Sequence, residues 1–492
     1  MKLRILIGRL VLGMACAAVP AVSAADSAVS MELQSRLRAA EAWMDQHMTS
    51  SLAPGATAAI VDDQSVLWTH AYGYADLETR RPATPQNTFS ICSISKLFTS
   101  VAVMDLVEAG QVDLDAPLGS YLDDFAPAAT DGVVDEPVTI RGLLSHSAGL
   151  PREGIGAYWN STEFPPESEI EKVANPAGML YTPFSNYQYS NIGMSLLGRV
   201  VSELSGEDYS DYVQRRIFDP LGLATVTTDL PLDGDGGRFA TGYTDHDARG
   251  VRQPVAPYRL NGLQPAAGFA ASVLDLAKFA AWQFRLMETG EEEVLQRVTL
   301  RSMHRVHWMD PADPESRIFG LGFYHDKFSD EAVVGHGGYC PGHRAHFALQ
   351  PDKKVAVTTM VNANDIDPRL VAAAIYGLTA DAIVAQRSEA ADPDQEQAAR
   401  LAQRQSLEGR YVWGDGFPEG FYVIPRADGR LMVINLYSRD PAGSAMTFAP
   451  AEGDTFRRVR KDGALGETLV FERDDRGQLV SYLHEGYRYF RR

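Results

Sequence analysis

The sequence predicts an α/β domain with helices packed on a sheet, followed by a small all-β, barrel-like domain. Three observations carry that prediction. A run beginning at Ser93 repeats apolar residues at helical spacing and is apolar nearly all round, as a central helix requires. Strand-like runs at 320–324, 332–335, 344–349 and 354–361 lie between helical patterns at 273–287 and 368–386. Past residue 405 the chain changes to short apolar alternations separated by Asp415-Gly416, Asp428-Gly429, Asp462-Gly463 and Asp474–Gly477 turns. At 492 residues the chain has room for two or three domains.

Taken in order, residues 1–24 have the pattern of a secretory signal. Lys2, Arg4 and Arg9 supply the positive region, Leu10 to Val19 the apolar core, and Val22-Ser23-Ala24 the small-residue cleavage site. The core is too short, and too interrupted by Pro20, to span a membrane. No later segment reads as long and apolar enough to do so. A periplasmic or secreted protein is expected. A catalytic domain then covers 25–387, a polar linker 388–405, and the barrel-like domain 406–492. Within the first domain, 33–48 reads as an amphipathic helix. Thr57 to Val61 and Val66 to Ala71 read as strands about a turn at Asp62-Asp63-Gln64. Ser93 opens the central helix and Gly110 stops it. The Pro- and Gly-rich stretch from Pro151 to Pro183, with Tyr158 and Trp159, reads as long loops of the kind that line sites. In the last domain Val433–Leu436, Glu467–Phe471 and Gln478–Leu483 are expected as strands. Its aromatics, Tyr411, Trp413, Phe417, Phe421, Tyr422 and Tyr437, are expected to fill the barrel rather than line the catalytic cleft.

The formal charge is −19, and loss of the three basic signal residues takes it to −22. Such a chain repels nucleic acid and acidic membrane surfaces. Only Cys92 and Cys340 follow the signal, too few for a disulfide framework. Two unpaired buried thiols are the expected state, with a bridge across the site as the alternative. No His-Glu-x-x-His or paired Cys-x-x-Cys is present, so no metal or cofactor is expected. The absence of a Gly-x-Ser-x-Gly elbow argues against an α/β-hydrolase, and phosphate-cradling glycine loops are missing too.

The candidate chemistry begins with Ser93 and Lys96. Residues three apart share a helix face. A lysine amine beside a serine hydroxyl in a dry site loses its proton and can take the serine's. Ser90 and Ser95 have no lysine three residues later. Downstream come Tyr189-Ser190-Asn191 before an apolar run, and His336-Gly337-Gly338 after the strand-like Ala332-Val333-Val334. Leu143–Pro151 and Pro265–Ala277 add two further stretches.

With these motifs in this order, the chain resembles the serine β-lactamase-like family: class C β-lactamases, DD-peptidases, D-aminopeptidases and related esterases. Its Ser-x-x-Lys, Tyr-x-Asn and Lys/His-x-Gly motifs are all present, and the resemblance covers about residues 33 to 385. The C-terminal part resembles, more loosely, the lipocalin-like domains attached to some members. The resemblance implies a β-lactamase/transpeptidase-like catalytic domain with a mostly antiparallel sheet and a helical region, Ser93 as the acylated nucleophile, Lys96 as its base, and Tyr189 as a proton relay. Asn191 is expected to meet both Lys96 and a substrate carbonyl. His336 stands where class C β-lactamases have lysine, and Gly337 replaces the usual hydroxyl residue. Gly338 is expected to clear room for substrate along the strand edge. The backbone N–H groups of Ser93 and Tyr339 are the implied oxyanion hole. Arg344 is a candidate grip for a substrate carboxylate, although strand arginines more often face water. His146, in the Leu143–Pro151 loop, is expected to be structural.

The expected function is a secreted serine hydrolase that cleaves an amide or ester of a small-molecule or peptide substrate through an acyl-enzyme on Ser93. A peptidase acting on peptides with D-residues is the first reading. A carboxylic ester hydrolase, a β-lactamase and a non-catalytic cell-wall or ligand binder are the alternatives. His-Gly-Gly in place of Lys-Thr-Gly weighs against the β-lactamase.

Overall fold

A computed structural model describes residues 31–134, 136–156, 158–232, 236–314, 318–389, 401–414 and 420–492. The signal pattern, most of the polar linker, the Asp415-Gly416 turn and Phe417 lie outside the described residues.

The catalytic domain is built on a nine-stranded sheet. From one edge to the other its strands are Arg81–Pro82, Ser65–Asp76, Gly55–Asp62, Val355–Val361, His343–Gln350, Glu331–Cys340, Tyr324–Phe328, Ile318–Phe319 and Trp308–Met309. Every neighbouring pair is antiparallel. The central strands Gly55–Asp62 and Val355–Val361 are buried on both faces, which explains their small and β-branched composition. Side chains alternate between two cores, as a period of two dictates. Ala59, Val61, Ala356 and Met360 enter the core shared with the nucleophile helix, Ser95–Glu108. Ala58, Ile60, Val355 and Val357 enter the core shared with the helices Met31–Ser50 and Pro368–Glu389. Every residue from Ser95 to Leu106 is buried, so the nucleophile helix is central, as its all-round apolar surface requires.

The strand Glu331–Cys340 positions the site. Its pairing with Tyr324–Phe328 stops at Tyr324↔Gly335, whereas its pairing with His343–Gln350 runs on to Cys340↔His343. Residues 336–340 therefore present an open backbone edge.

Three expectations need correction. The run 320–324 is not a strand. Residues 320–323 form the bend between Ile318–Phe319 and Tyr324–Phe328, because Gly322 adopts φ +82° and a Cβ there would fall 2.0 Å from Ser100 Oγ. The central helix begins at Ser95; Ser93 sits in a preceding 3₁₀ turn, Cys92–Ile94. Among the described residues one helix, Pro368–Arg387, is long and apolar enough by composition to span a membrane, with a mean hydropathy of 1.3. Most of it is buried in the protein, where it packs on the sheet and on Met31–Ser50.

The C-terminal domain is a closed antiparallel barrel of eight strands: Gly409–Val412, Gly420–Pro425, Leu431–Asn435, Met446–Pro450, Thr455–Val459, Leu465–Arg473, Leu479–His484 and Tyr487–Arg491. Closure comes from the first strand pairing with the last, Tyr411↔Arg491 and Val412↔Phe490. Tyr411, Val423, Val433, Phe448, Phe456, Phe471 and Tyr482 fill its interior, with Trp413 and Phe421 packed against them. Tyr422, Ile424 and Ile434 alternate outward into the core of the N-terminal helix. Polar contacts lock that junction. Trp43 Nε1 donates to Ser438 O at 2.8 Å. Glu408 accepts from Arg38 Nε at 2.5 Å, Ser35 Oγ at 2.6 Å and the Tyr422 hydroxyl at 3.0 Å.

The barrel thus covers the outer helices of the catalytic domain. A chain ending at Gln405 would expose Trp43 and its apolar neighbours. It is expected to melt at a lower temperature and bind a hydrophobic dye while still labelling at Ser93. A cooperative melt unchanged from the full chain would show that the junction contributes no stability.

Candidate active site

Ser93 is carried by a turn that three constraints shape. The strand Thr88–Ser90 pairs with Ala270–Ser272, and Ile91 N–H donates to Phe269 O at 2.9 Å. Cys92 adopts φ +50°, a left-handed conformation uncommon for a residue with a side chain. Ser95 Oγ then donates to Cys92 O at 2.6 Å and accepts from Phe269 N–H at 3.0 Å. Ser95 and Ser90 are both buried, whereas Ser93 is 9% exposed and lines the cleft.

Lys96 follows one helical turn later and is completely buried. Its Nζ lies 3.2 Å from Ser93 Oγ, 2.8 Å from Asn191 Oδ1 and 2.6 Å from Ala266 O. Burial holds its pKa well below the usual lysine range; Arg152 adds to that and Glu153 opposes it. In its deprotonated form, which burial favours, the amine has two N–H donors and one lone pair. Asn191 Oδ1 and Ala266 O can only accept, so they take the two donors, and the lone pair faces Ser93.

The orientation of Asn191 is fixed chemically. Its Nδ2 donates to Glu153 Oε1 at 2.5 Å, and a carboxylate only accepts, so Oδ1 must face Lys96. Trp159 Nε1 donates to the same oxygen at 2.8 Å. Asn191 opens the helix Asn191–Ser205, whose N-cap Ser190 accepts from Gly193 N–H at 2.9 Å.

Tyr189 precedes that cap. Its ring lies 4.8 Å from Lys96 Nζ and 5.0 Å from the Arg152 guanidinium, and packs 4.4 Å from the His146 ring. Burial raises its pKa while a hydrogen bond with Ser93 works against the rise, so the phenol stays protonated. His146, buried at φ +55°, accepts from Ser190 N–H at 3.3 Å through Nδ1 and thus supports Tyr189, in keeping with a structural part.

His336 lies 6.2 Å from the Tyr189 ring, centroid to centroid. Burial, with Lys96 nearby, pushes its pKa down to about 3, so it is neutral at physiological pH. Its Nδ1 lies 2.6 Å from Gly337 O. Gly337 is open: a Cβ there would meet His346 Nδ1 only at 3.6 Å. Gly338 requires a correction. Its missing Cβ would lie 2.2 Å from Ile91 O, so glycine serves the packing of the strand on the nucleophile turn, not room for substrate. Tyr339 is 58% exposed and lines, with Ser93 and Asn191, a cavity of about 230 Å³. Arg344 stands across the second cavity that Ser93 lines, of about 520 Å³. Its guanidinium lies 5.3 Å from the Tyr339 ring and 3.8 Å from Asp367.

The expected unpaired thiols are also corrected: Cys92 and Cys340 form a disulfide, with Cα atoms 5.8 Å apart. Proximity decides this, since the Gly338–Ile91 contact brings the two segments together. Sequence reasoning missed Arg152, Glu153 and the Ala266 carbonyl. Glu153 lies two residues past the Leu143–Pro151 stretch, which was its only signal; Ala266 falls within the Pro265–Ala277 stretch, but nothing in a residue type marks its backbone carbonyl as an acceptor. Among the described residues no cluster of three metal-ligating side chains occurs.

The chain matches the family model described as Beta-lactamase over residues 40–381. It is 27% identical over 440 residues to a D-aminopeptidase of Brucella anthropi, covering 85% of this chain and 76% of that one. A D-aminopeptidase of Cereibacter sphaeroides is 27% identical over 414 residues, covering 78% and 74%. Among solved structures, the octameric penicillin-binding protein homologue from Pyrococcus abyssi superposes with a TM-score of 0.61 at 24% identity, covering 92% of this chain and all of that one. The D-amino acid amidase from Ochrobactrum anthropi SV3 gives 0.57 at 23% identity, covering 72% and 99%. These two likenesses bear on the fold alone. The family model spans well over half of the chain and takes in Ser93, Lys96, Tyr189 and His336, so this protein belongs to the Beta-lactamase family and is a serine hydrolase.

Proposed function

We propose that this protein is an exported hydrolase that cleaves the amide bond following an amino-terminal D-residue, through an acyl-enzyme on Ser93. The observation that carries the chemistry is the Lys96 environment, whose two obligate acceptors leave the amine lone pair for the Ser93 proton. The D-aminopeptidase relatives favour the substrate class. Export is favoured by the signal pattern of residues 1–24 and by the Cys92–Cys340 disulfide, a bond of oxidising compartments.

In this reading Ser93 Oγ attacks the carbonyl and passes its proton to Lys96. The backbone N–H groups of Ser93 and Tyr339 hold the oxyanion. Tyr189 protonates the leaving nitrogen and is reprotonated by the Lys96 ammonium. Water then repeats the sequence on the ester, and Lys96 and Tyr189 return to neutral. Arg344 lines the larger cavity together with Ser93 and is available to a charged part of the substrate.

Three outcomes test the reading. Ser93→Ala is expected to drop turnover to below about 10⁻³ of the parent and to abolish fluorophosphonate labelling with the fold intact. A mass-mapped adduct at any other residue would overturn the nucleophile assignment.

For Lys96 the neutral form is the active one and its pKa is lowered. Acylation rate should therefore rise with pH on a limb well below the usual lysine range and stay flat at alkaline pH. Lys96→Arg, permanently charged, should lose about 10²–10⁴-fold at every pH. A rate still climbing near pH 10 would show an ordinary, charged lysine.

Neutral His336 offers no fixed charge to a β-lactam carboxylate. Nitrocefin is expected to be turned over poorly relative to D-alanyl p-nitroanilide. A nitrocefin kcat/KM of about 10⁶ M⁻¹s⁻¹ would instead identify a β-lactamase.

A further inference from the structure

The disulfide lies where the two halves of the site meet. Cys92 immediately precedes Ser93, and Cys340 immediately follows Tyr339. Those two neighbours are the residues whose backbone N–H groups hold the oxyanion in the proposed reaction, on which this inference rests. The two segments also meet through packing, with Ser90 Oγ 3.2 Å from Cys340 Sγ and the Phe89 ring against that of His343, but the disulfide is the covalent tie between them. The 336–340 edge has no ladder partner on the nucleophile side, since its pairing there ends at Gly335. The Gly338–Ile91 approach is a close packing contact that sets a minimum distance without bonding the segments together. Cys92 adopts φ +50°, a conformation that persists in a residue with a side chain only where its surroundings enforce it. The bond spans 248 residues of sequence, and both cysteines are buried, at 0% and 2% exposure.

We propose that the Cys92–Cys340 disulfide is a positioning crosslink of the catalytic machinery, which holds Ser93 and Tyr339 at the separation the oxyanion requires. It is more than a general staple of the fold. Neither sulfur takes part in the reaction; the crosslink acts through the backbone on either side of it. Its loss should lower the catalytic rate more than substrate binding, because the oxyanion develops only after the substrate is bound.

The test compares the full chain with the Cys92→Ser/Cys340→Ser double variant, using D-alanyl p-nitroanilide, a fluorophosphonate probe and thermal melting by circular dichroism. The expected result is a retained cooperative melt and a kcat lowered at least about 10-fold, approaching the 10²–10³-fold loss of an oxyanion donor. KM should change by less than about 3-fold, and labelling of Ser93 should slow in step with kcat. Should the variant fail to fold, reduction of the folded parent, checked by a gain of two titratable thiols per chain, makes the same comparison, and reoxidation should restore the rate. Unchanged kcat in a folded, thiol-verified sample overturns the proposal, as does a rate loss wholly matched by lost folded fraction. A parent that gains no thiols on reduction also overturns it. A parent that takes no label at Ser93 counts against the nucleophile and removes the crosslink's purpose with it; an effect confined to the variants bears on the crosslink alone.

Discussion

The burial of the Lys96 amine is the constraint on which the rest of the site depends. Enclosing an ammonium away from water costs several kcal/mol unless it is paired with a charge. Here the atoms touching Nζ are a hydroxyl, an amide oxygen and a backbone carbonyl, all neutral. The one nearby carboxylate, Glu153, is held a residue away, behind Asn191. The balance therefore favours the free amine. Four separate stretches of chain must meet to build that environment: the nucleophile helix, the Ala266 segment, the start of the Asn191–Ser205 helix and the loop bearing Glu153. The ribbon of Thr88–Ser90 with Ala270–Ser272 ties two of them together, and the Ser190 cap fixes a third.

Much of this was legible in the sequence because it rests on local pattern. The central helix, the strands about Asp62–Gln64, the helices at 273–287 and 368–386 and the barrel after residue 405 all follow from periodicity and turn residues. The order of the three motifs pointed to one cleft, and Ser93, Lys96, Tyr189, Asn191 and His336 do converge there. What remained hidden depends on contacts across the fold. Residues 320–324 are apolar enough for a strand, and only the closeness of Ser100 forces Gly322 into a bend. Gly338 reads as a substrate-facing glycine until Ile91 is found behind it. The pairing of Cys92 with Cys340 follows from that same approach, which spacing cannot reveal. Glu153 and the Ala266 carbonyl carry no motif, since their part is defined by what they accept from.

The barrel shows a different division of labour. Its interior is filled by its own aromatics, and its outward residues Tyr422, Ile424 and Ile434 complete a core that begins with the N-terminal helix. The helix Pro368–Glu389 packs against that same helix. An apolar composition suited to a membrane is here satisfied by protein on several sides.

The order of strands in the sheet has a consequence for how the molecule comes into being. Gly55–Asp62 pairs with Val355–Val361, so the centre of the sheet joins segments some three hundred residues apart. Pairings of such long range are slow, because the entropy of closing the intervening chain is lost before any contact is gained. A chain emerging from its N-terminal end cannot close this sheet until residue 361 is free. Ser93, Lys96 and Asn191 are all made well before then, yet the strand that faces them, Glu331–Cys340, lies in the late segment. The early fragment therefore holds the nucleophile and its base without the opposite wall of the cleft. The two walls of the cleft thus meet only after the late strand has joined the sheet.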